Sequence, residues 1–109
     1  MSNPTLIDNL RKQCDGPRDG ALLRFSLGNA LLAAGDSHAA SDELRRATAF
    51  DPCYSAAWKL LGKACLDDGQ VQAAAEAWRQ GIAAAVQKGD KQAEKEMTVF
   101  LRRLEKPKP

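Results

Sequence analysis

Apolar residues recur along this chain three or four positions apart, the spacing of one face of an α-helix, in a series of segments separated by Gly, Pro and Asp. Leu6, Ile7, Leu10 and Cys14 mark the first such face; Asn3-Pro4 reads as its start, with Asn as the cap, and Asp15-Gly16-Pro17 as its stop. A second segment opens after Asp19-Gly20 with Leu23, Leu27, Ala30, Leu31 and Ala34 inward, and turns at Gly35-Asp36-Ser37, where Ser37 is the expected N-cap. The segment that follows directs Ala39, Ala40, Leu44, Ala47 and Phe50 inward and closes at Asp51-Pro52. The next pair carries Trp58, Leu61, Cys65, Ala74, Trp78 and Ile82, joined at Asp67-Asp68-Gly69. Beyond Lys88-Gly89, Asp90 caps a last helix in which Ala93, Met97, Phe100, Leu101 and Leu104 form one apolar stripe, opposite a face of Lys, Glu and Arg. Lys106-Pro107-Lys108-Pro109 is read as a solvated tail.

Residues 21–88 repeat themselves at a lag of 34. Leu27-Gly28 returns as Leu61-Gly62, Leu32 as Leu66, Gly35 as Gly69 and Arg45 as Arg79. Gly28 and Gly62, with Ala40 and Ala74, lack bulk where paired helices approach closely, whereas Gly35 and Gly69 end helical patterns where a positive φ is wanted. The first copy reads Arg24-x2-Leu27-Gly28-x2-Leu31, then Ala40-x3-Leu44 and Pro52; the second reads Trp58-x2-Leu61-Gly62-x2-Cys65, then Ala74-x3-Trp78. This resembles the tetratricopeptide repeat (TPR) family, with departures: Arg24 replaces the usual Trp, Leu31 and Cys65 the Tyr, and Val86 the closing Pro. The missing proline predicts that the last helix of the second copy runs on to about Gly89. Leu6 and Leu10 fall over Ala40 and Leu44 at the same lag, so the first segment reads as the second half of a repeat.

The resemblance implies an all-α fold of about six helices, antiparallel hairpins stacked as a short right-handed solenoid. Residues 1–19 would form a capping half-repeat and linker, 20–54 and 55–89 the two repeats, 90–105 a C-terminal capping helix and 106–109 the tail. The stripe of the last helix fits the 34-residue lag better one position late.

At 109 residues and 44% hydrophobic the chain can bury one ordinary core. Its net charge of +2, with both signs interspersed, gives no strong field toward nucleic acid or membrane. No apolar run approaches a bilayer span and residues 1–9 carry no secretion signal, so a cytoplasmic protein is expected. Three cysteines without C-x-x-C spacing and one histidine point to no metal site; Cys65 reads as core, Cys14 and Cys53 as thiols near helix ends. His38 reads as a solvent-facing turn residue, and no catalytic constellation, phosphate loop or cofactor motif appears, so an enzyme is not expected.

Binding is the expected function. In the family the first helix of each repeat lines a concave groove that receives a peptide. Carried over by resemblance, the lining would be Leu22, Phe25, Asn29 and Leu32, then Ala56, Lys59, Lys63 and Leu66, then Lys91, Lys95 and Thr98. Four lysines over an apolar floor suit an acidic segment or a C-terminal carboxylate, with Glu94 and Asp67 partly cancelling them. The carboxylate clamp of some TPR proteins is incomplete here: Asn29, Lys91 and Lys95 fill three places, while Phe25 and Leu60 stand where Lys and Asn belong. Trp58 and Trp78 occupy core positions of the motif. The partner expected is thus a protein or peptide, not nucleic acid or membrane, for a monomer or weak homodimer. The rival is a structural subunit acting through self-association or docking into a larger complex.

Overall fold

The computed structural model describes residues 2–106, with side chains from Leu6 onward. Six helices follow in order: α1 (Ser2–Gln13), α2 (Ala21–Ala33), α3 (Ser37–Phe50), α4 (Ser55–Asp67), α5 (Val71–Lys88) and α6 (Lys91–Glu105). α2 pairs with α3 and α4 with α5 as hairpins; α3 packs on α4, α5 on α6 and α1 on α2. α2 also touches α4, and α4 touches α6, so these three stand side by side in one layer with α3 and α5 behind them. The molecule measures 45 × 31 × 19 Å, and its shortest dimension is that of two stacked helices.

The lag of 34 appears in three dimensions as one repeated contact. A Cβ built on Gly28 would lie 2.6 Å from Leu44 Cγ, and one on Gly62 would lie 2.1 Å from Trp78 Nε1. Each hairpin therefore closes by a large side chain of its second helix lying on a glycine of its first. Trp78 is fixed there because its indole N–H donates to the Lys59 carbonyl at 3.1 Å. The hairpin turns repeat too. Gly35, Gly69 and Gly89 all have φ between 73° and 87°. After each, an amide reaches back five residues, from Asp36 to Leu31, Gln70 to Cys65 and Asp90 to Ala85 at 2.8–2.9 Å, the Schellman arrangement. α5 has 18 residues against 14 in α3, as the absence of a proline at Val86 predicts.

The core contains Leu27, Leu31, Leu44, Leu61, Cys65, Ala74, Trp78, Ala93 and Met97, with Trp58, Ile82, Phe100, Leu101 and Leu104 packed against it half-buried. Five expectations are corrected. Phe50 is 54% exposed and Ala34 is exposed, because Phe50 is the last residue of α3 and Ala34 lies just past the end of α2, beyond the reach of the partner helix. Leu6 is exposed and Ile7 alone of the first face is buried, since among the described residues α1 packs on α2 and on no other helix. The cap of α3 is Asp36, whose carboxylate accepts from the Ala39 amide at 3.1 Å, and Ser37 is the first helical residue. α1 begins at Ser2, so Asn3 lies inside the helix. The cap assigned to Asp90 is present, accepting from the Ala93 amide at 3.1 Å. Of the tail, residues 107–109 lie outside the described residues.

Candidate functional site

The layer formed by α2, α4 and α6 carries the predicted lining residues. On α2, Leu22 is 69% exposed, Asn29 is exposed, and Phe25 and Leu32 are half-buried against the core. The Phe25 ring lies 5.1 Å from that of Tyr54, at 35°, so the aromatic bridges α2 to the entry of α4. On α4, Lys63 is exposed and Leu66 is 39% exposed; on α6, Lys91 and Lys95 are exposed.

Lys59 differs from the other lysines. Its ammonium pairs with Glu96 of α6 at 2.8 Å. That lysine holds the Glu96 carboxyl below its ordinary range. Lys59 therefore links α4 to α6 through a partly exposed ion pair, and its charge is partly met by a carboxylate of the same chain. Glu96 therefore joins Asp67, which lines a recess with Lys63, and Glu94, which lines a depression with Lys95, among the carboxylates beside the lysines. Ser55 adds a second brace by donating to the Asp90 carboxylate at 3.0 Å.

Lys63 and Leu66 do come together, at a crevice between the end of α4 and the last turns of α6. Two adjoining recesses share Leu66, Trp78 and Phe100; Lys63 and Asp67 complete one, Arg103 and Leu104 the other. The Phe100 ring sits 5.3 Å from Trp78, forming the floor. Lys95 lines a separate depression along α6 with Glu94, Thr98, Val99 and Arg102. The sequence carried a signal for the crevice: a direct 34-residue step leads from Leu32 to Leu66 to Phe100, so Phe100 belongs to the lining as well as to the stripe.

Three other polar clusters were not anticipated. Arg24, at the position of the missing Trp, is buried and makes hydrogen bonds to Asp19 at 2.7 and 2.8 Å and to Glu43 at 2.8 Å, with Asp15 at 3.3 Å. Arg24 accordingly holds the Asp19 carboxyl far below the usual carboxylate range. His38 is solvent-facing as expected, but its Nδ1 lies 3.0 Å from Asp68 of the next hairpin, and that carboxylate raises the imidazole pKa. Arg45 Nη2 reaches the Cys65 sulfur and the Gln70 side-chain oxygen, each at 3.5 Å. Cys65 is buried, and burial pushes its thiol up; Cys14 and Cys53 are half-buried, Cys14 donating to the Leu10 carbonyl.

Among the described residues no cluster of His, Cys, Asp and Glu could hold a metal ion, and no helix is long and apolar enough to cross a membrane. A family model described as tetratricopeptide repeat matches residues 21–64. A TPR repeat-containing protein of Pseudomonas aeruginosa is 52% identical over 101 residues, 93% of this chain and 96% of that protein. The chain belongs to the tetratricopeptide repeat family. Among solved structures, the solution structure of a Bordetella parapertussis protein superposes with a TM-score of 0.75 at 44% identity, covering 90% of this chain and 85% of that one. The TPR domain of Sgt2 from Aspergillus fumigatus gives 0.70 at 25% identity, over 99% and 76%. TPR proteins serve in general as non-catalytic modules for protein–protein interaction. In this TPR chain the glycine contacts and the Schellman turns build the repeat, while Leu22 and Asn29 of α2, Lys63 and Leu66 of α4, and Lys91 and Lys95 of α6 are left facing solvent.

Proposed function

We propose that this TPR protein binds a segment of a partner protein on the face shared by α2, α4 and α6, with Leu22, Phe25, Asn29 and Leu32 at one end and Lys63, Leu66, Lys91 and Lys95 at the other. One observation carries the reading: apolar and cationic side chains are exposed together on the layer that α3 and α5 do not cover, including Leu22 at 69% and Leu66 at 39%. Exposed apolar groups cost little to leave in water singly, but grouped with fixed charges they supply both the anchor and the selectivity that an interface needs. The partner segment carries acidic groups, a C-terminal carboxylate being one form of them, and the protein acts without catalysis and without a cofactor.

Lys59 serves as an internal brace in this reading and not as a ligand contact. The test is affinity capture with wild type and with a Lys63→Glu, Lys91→Glu, Lys95→Glu variant of equal helicity. A partner retained by wild type and lost by the variant supports the reading. Retention by both proteins overturns the role of the lysines. Concentration-dependent sedimentation that is abolished by Leu22→Asp would instead favour the structural-subunit alternative.

A further inference from the structure

Resting on the reading above, and sharpening it, we infer that the crevice between α4 and α6 is the anchor point of the interaction and that it takes one large apolar side chain flanked by carboxylates. The two recesses offer about 290 Å³ and about 170 Å³ and share a floor of Trp78 and Phe100 with Leu66 at the wall. Leu104 closes the far side. Trp78 is almost fully buried and its N–H is already bonded to Lys59, so the floor is rigid and presents carbon, not a donor. A preformed apolar recess is what an interface anchor requires, because little order remains to be imposed on binding.

Charge decides what flanks that side chain. Lys63 and Arg103 stand at opposite rims, and neither has a carboxylate within 4.0 Å among the described residues. This contrasts with Lys59, Arg24 and Arg79, whose charges are all met from within the chain. One carboxylate, Asp67, shares the rim, which leaves an excess of positive charge. The occupant that complements the crevice is an acidic segment of another protein with a Phe or Leu at its centre. Neither Lys63 nor Arg103 fills a place of the carboxylate clamp described above, and an internal side chain, rather than a chain end, is the recognised group.

Three capped octapeptides test this by nuclear magnetic resonance on the full chain: one of alternating Asp and Glu with a central Phe, one with Ser in place of Phe, and one with Lys in place of the acids. The expected result is saturable shifts for the first peptide at the Trp78 indole N–H and at the amides of Leu66, Phe100 and Leu104. The Trp58 indole, bonded to the Pro52 carbonyl, should stay unmoved as an internal control. Binding should weaken roughly tenfold with the Ser peptide, with the Lys peptide, and for the Lys63→Glu and Arg103→Glu variants. Equal binding of the Phe and Ser peptides would overturn the anchor. Shifts at Phe25 and Asn29 without Trp78 would keep the wider groove reading and overturn the crevice. Absence of saturable shifts, or burial of the crevice in a dimer seen by sedimentation, would also overturn it.

Discussion

The residues that decide this fold are the glycines on which large side chains rest and the charged groups that replace an aromatic. Gly62→Ala puts a methyl into the fixed Trp78 indole, and overpacking of this kind costs about 1–3 kcal/mol. Gly20→Ala should change stability by less than about 0.5 kcal/mol, because nothing lies within 4 Å and its φ of 166° is extended backbone open to any residue. Urea unfolding of the two variants checks the contrast, and equal effects would contradict it. The glycines were legible as close approaches, since their spacing repeats. The Arg24 cluster was not, because Asp15, Asp19 and Glu43 come from a loop and a different helix and only the tertiary fold brings them to one guanidinium. That cluster has a pH signature. Asp19 binds protons less readily folded than unfolded, so its contribution is complete above the ordinary carboxylate pKa of about 3.9 and is lost as pH falls below it. Asp19→Asn should therefore flatten the acid side of a Tm–pH profile, and an unchanged acid side would show the pairing to be without effect on stability.

Helix ends show a similar division between local and tertiary information. Asp90 was readable as a cap, as were the turn glycines, because local geometry alone demands them. At α3, Asp36 and Ser37 are both capping residues in adjacent positions, and the sequence favoured the wrong one by a residue. Asp36→Ala should destabilise by about 1 kcal/mol in thermal unfolding and Ser37→Ala by much less; the reverse order would refute the assignment. Phe50 and Ala34 were misplaced for a different reason, since the apolar periodicity continues to the end of α3 and one residue past the end of α2, where no partner helix remains to cover it. The tie from His38 to Asp68 joins the ends of successive hairpins. With the imidazole pKa raised in the fold, this tie acts below the ordinary value of about 6.5 and fades as pH rises through the folded value.

For the molecule as a whole, stability comes from neighbours covering one another, and α6 is the cover for α5. Met97 is fully buried and its sulfur would touch a Cβ on Gly81. Burying Met97 alone is worth about 1.5–3 kcal/mol, and Phe100, Leu101 and Leu104 add to it. A chain ending after Gly89 should lose most of its cooperative melting by circular dichroism, whereas one beginning at Cys14 should keep it, because among the described residues Ile7 is the one side chain of α1 that is buried and α1 packs on α2. The six-helix stack was legible in the repeat, but the site was legible only as a face. Lys59 and Lys63 look alike in sequence, and the structure separates them by the single fact that Glu96 of a distant helix reaches one of them. The same helix brings Phe100 beside Trp78, turning a lining into a crevice.

In the proposed function, partners engage the layer of α2, α4 and α6. Amide hydrogen exchange of the chain with and without its captured partner tests it most directly. Binding there should add protection in α2, α4 and α6, strongest around Lys63–Asp67 and Phe100–Leu104. Protection confined to α3 and α5, or to exposed Phe50, would contradict it.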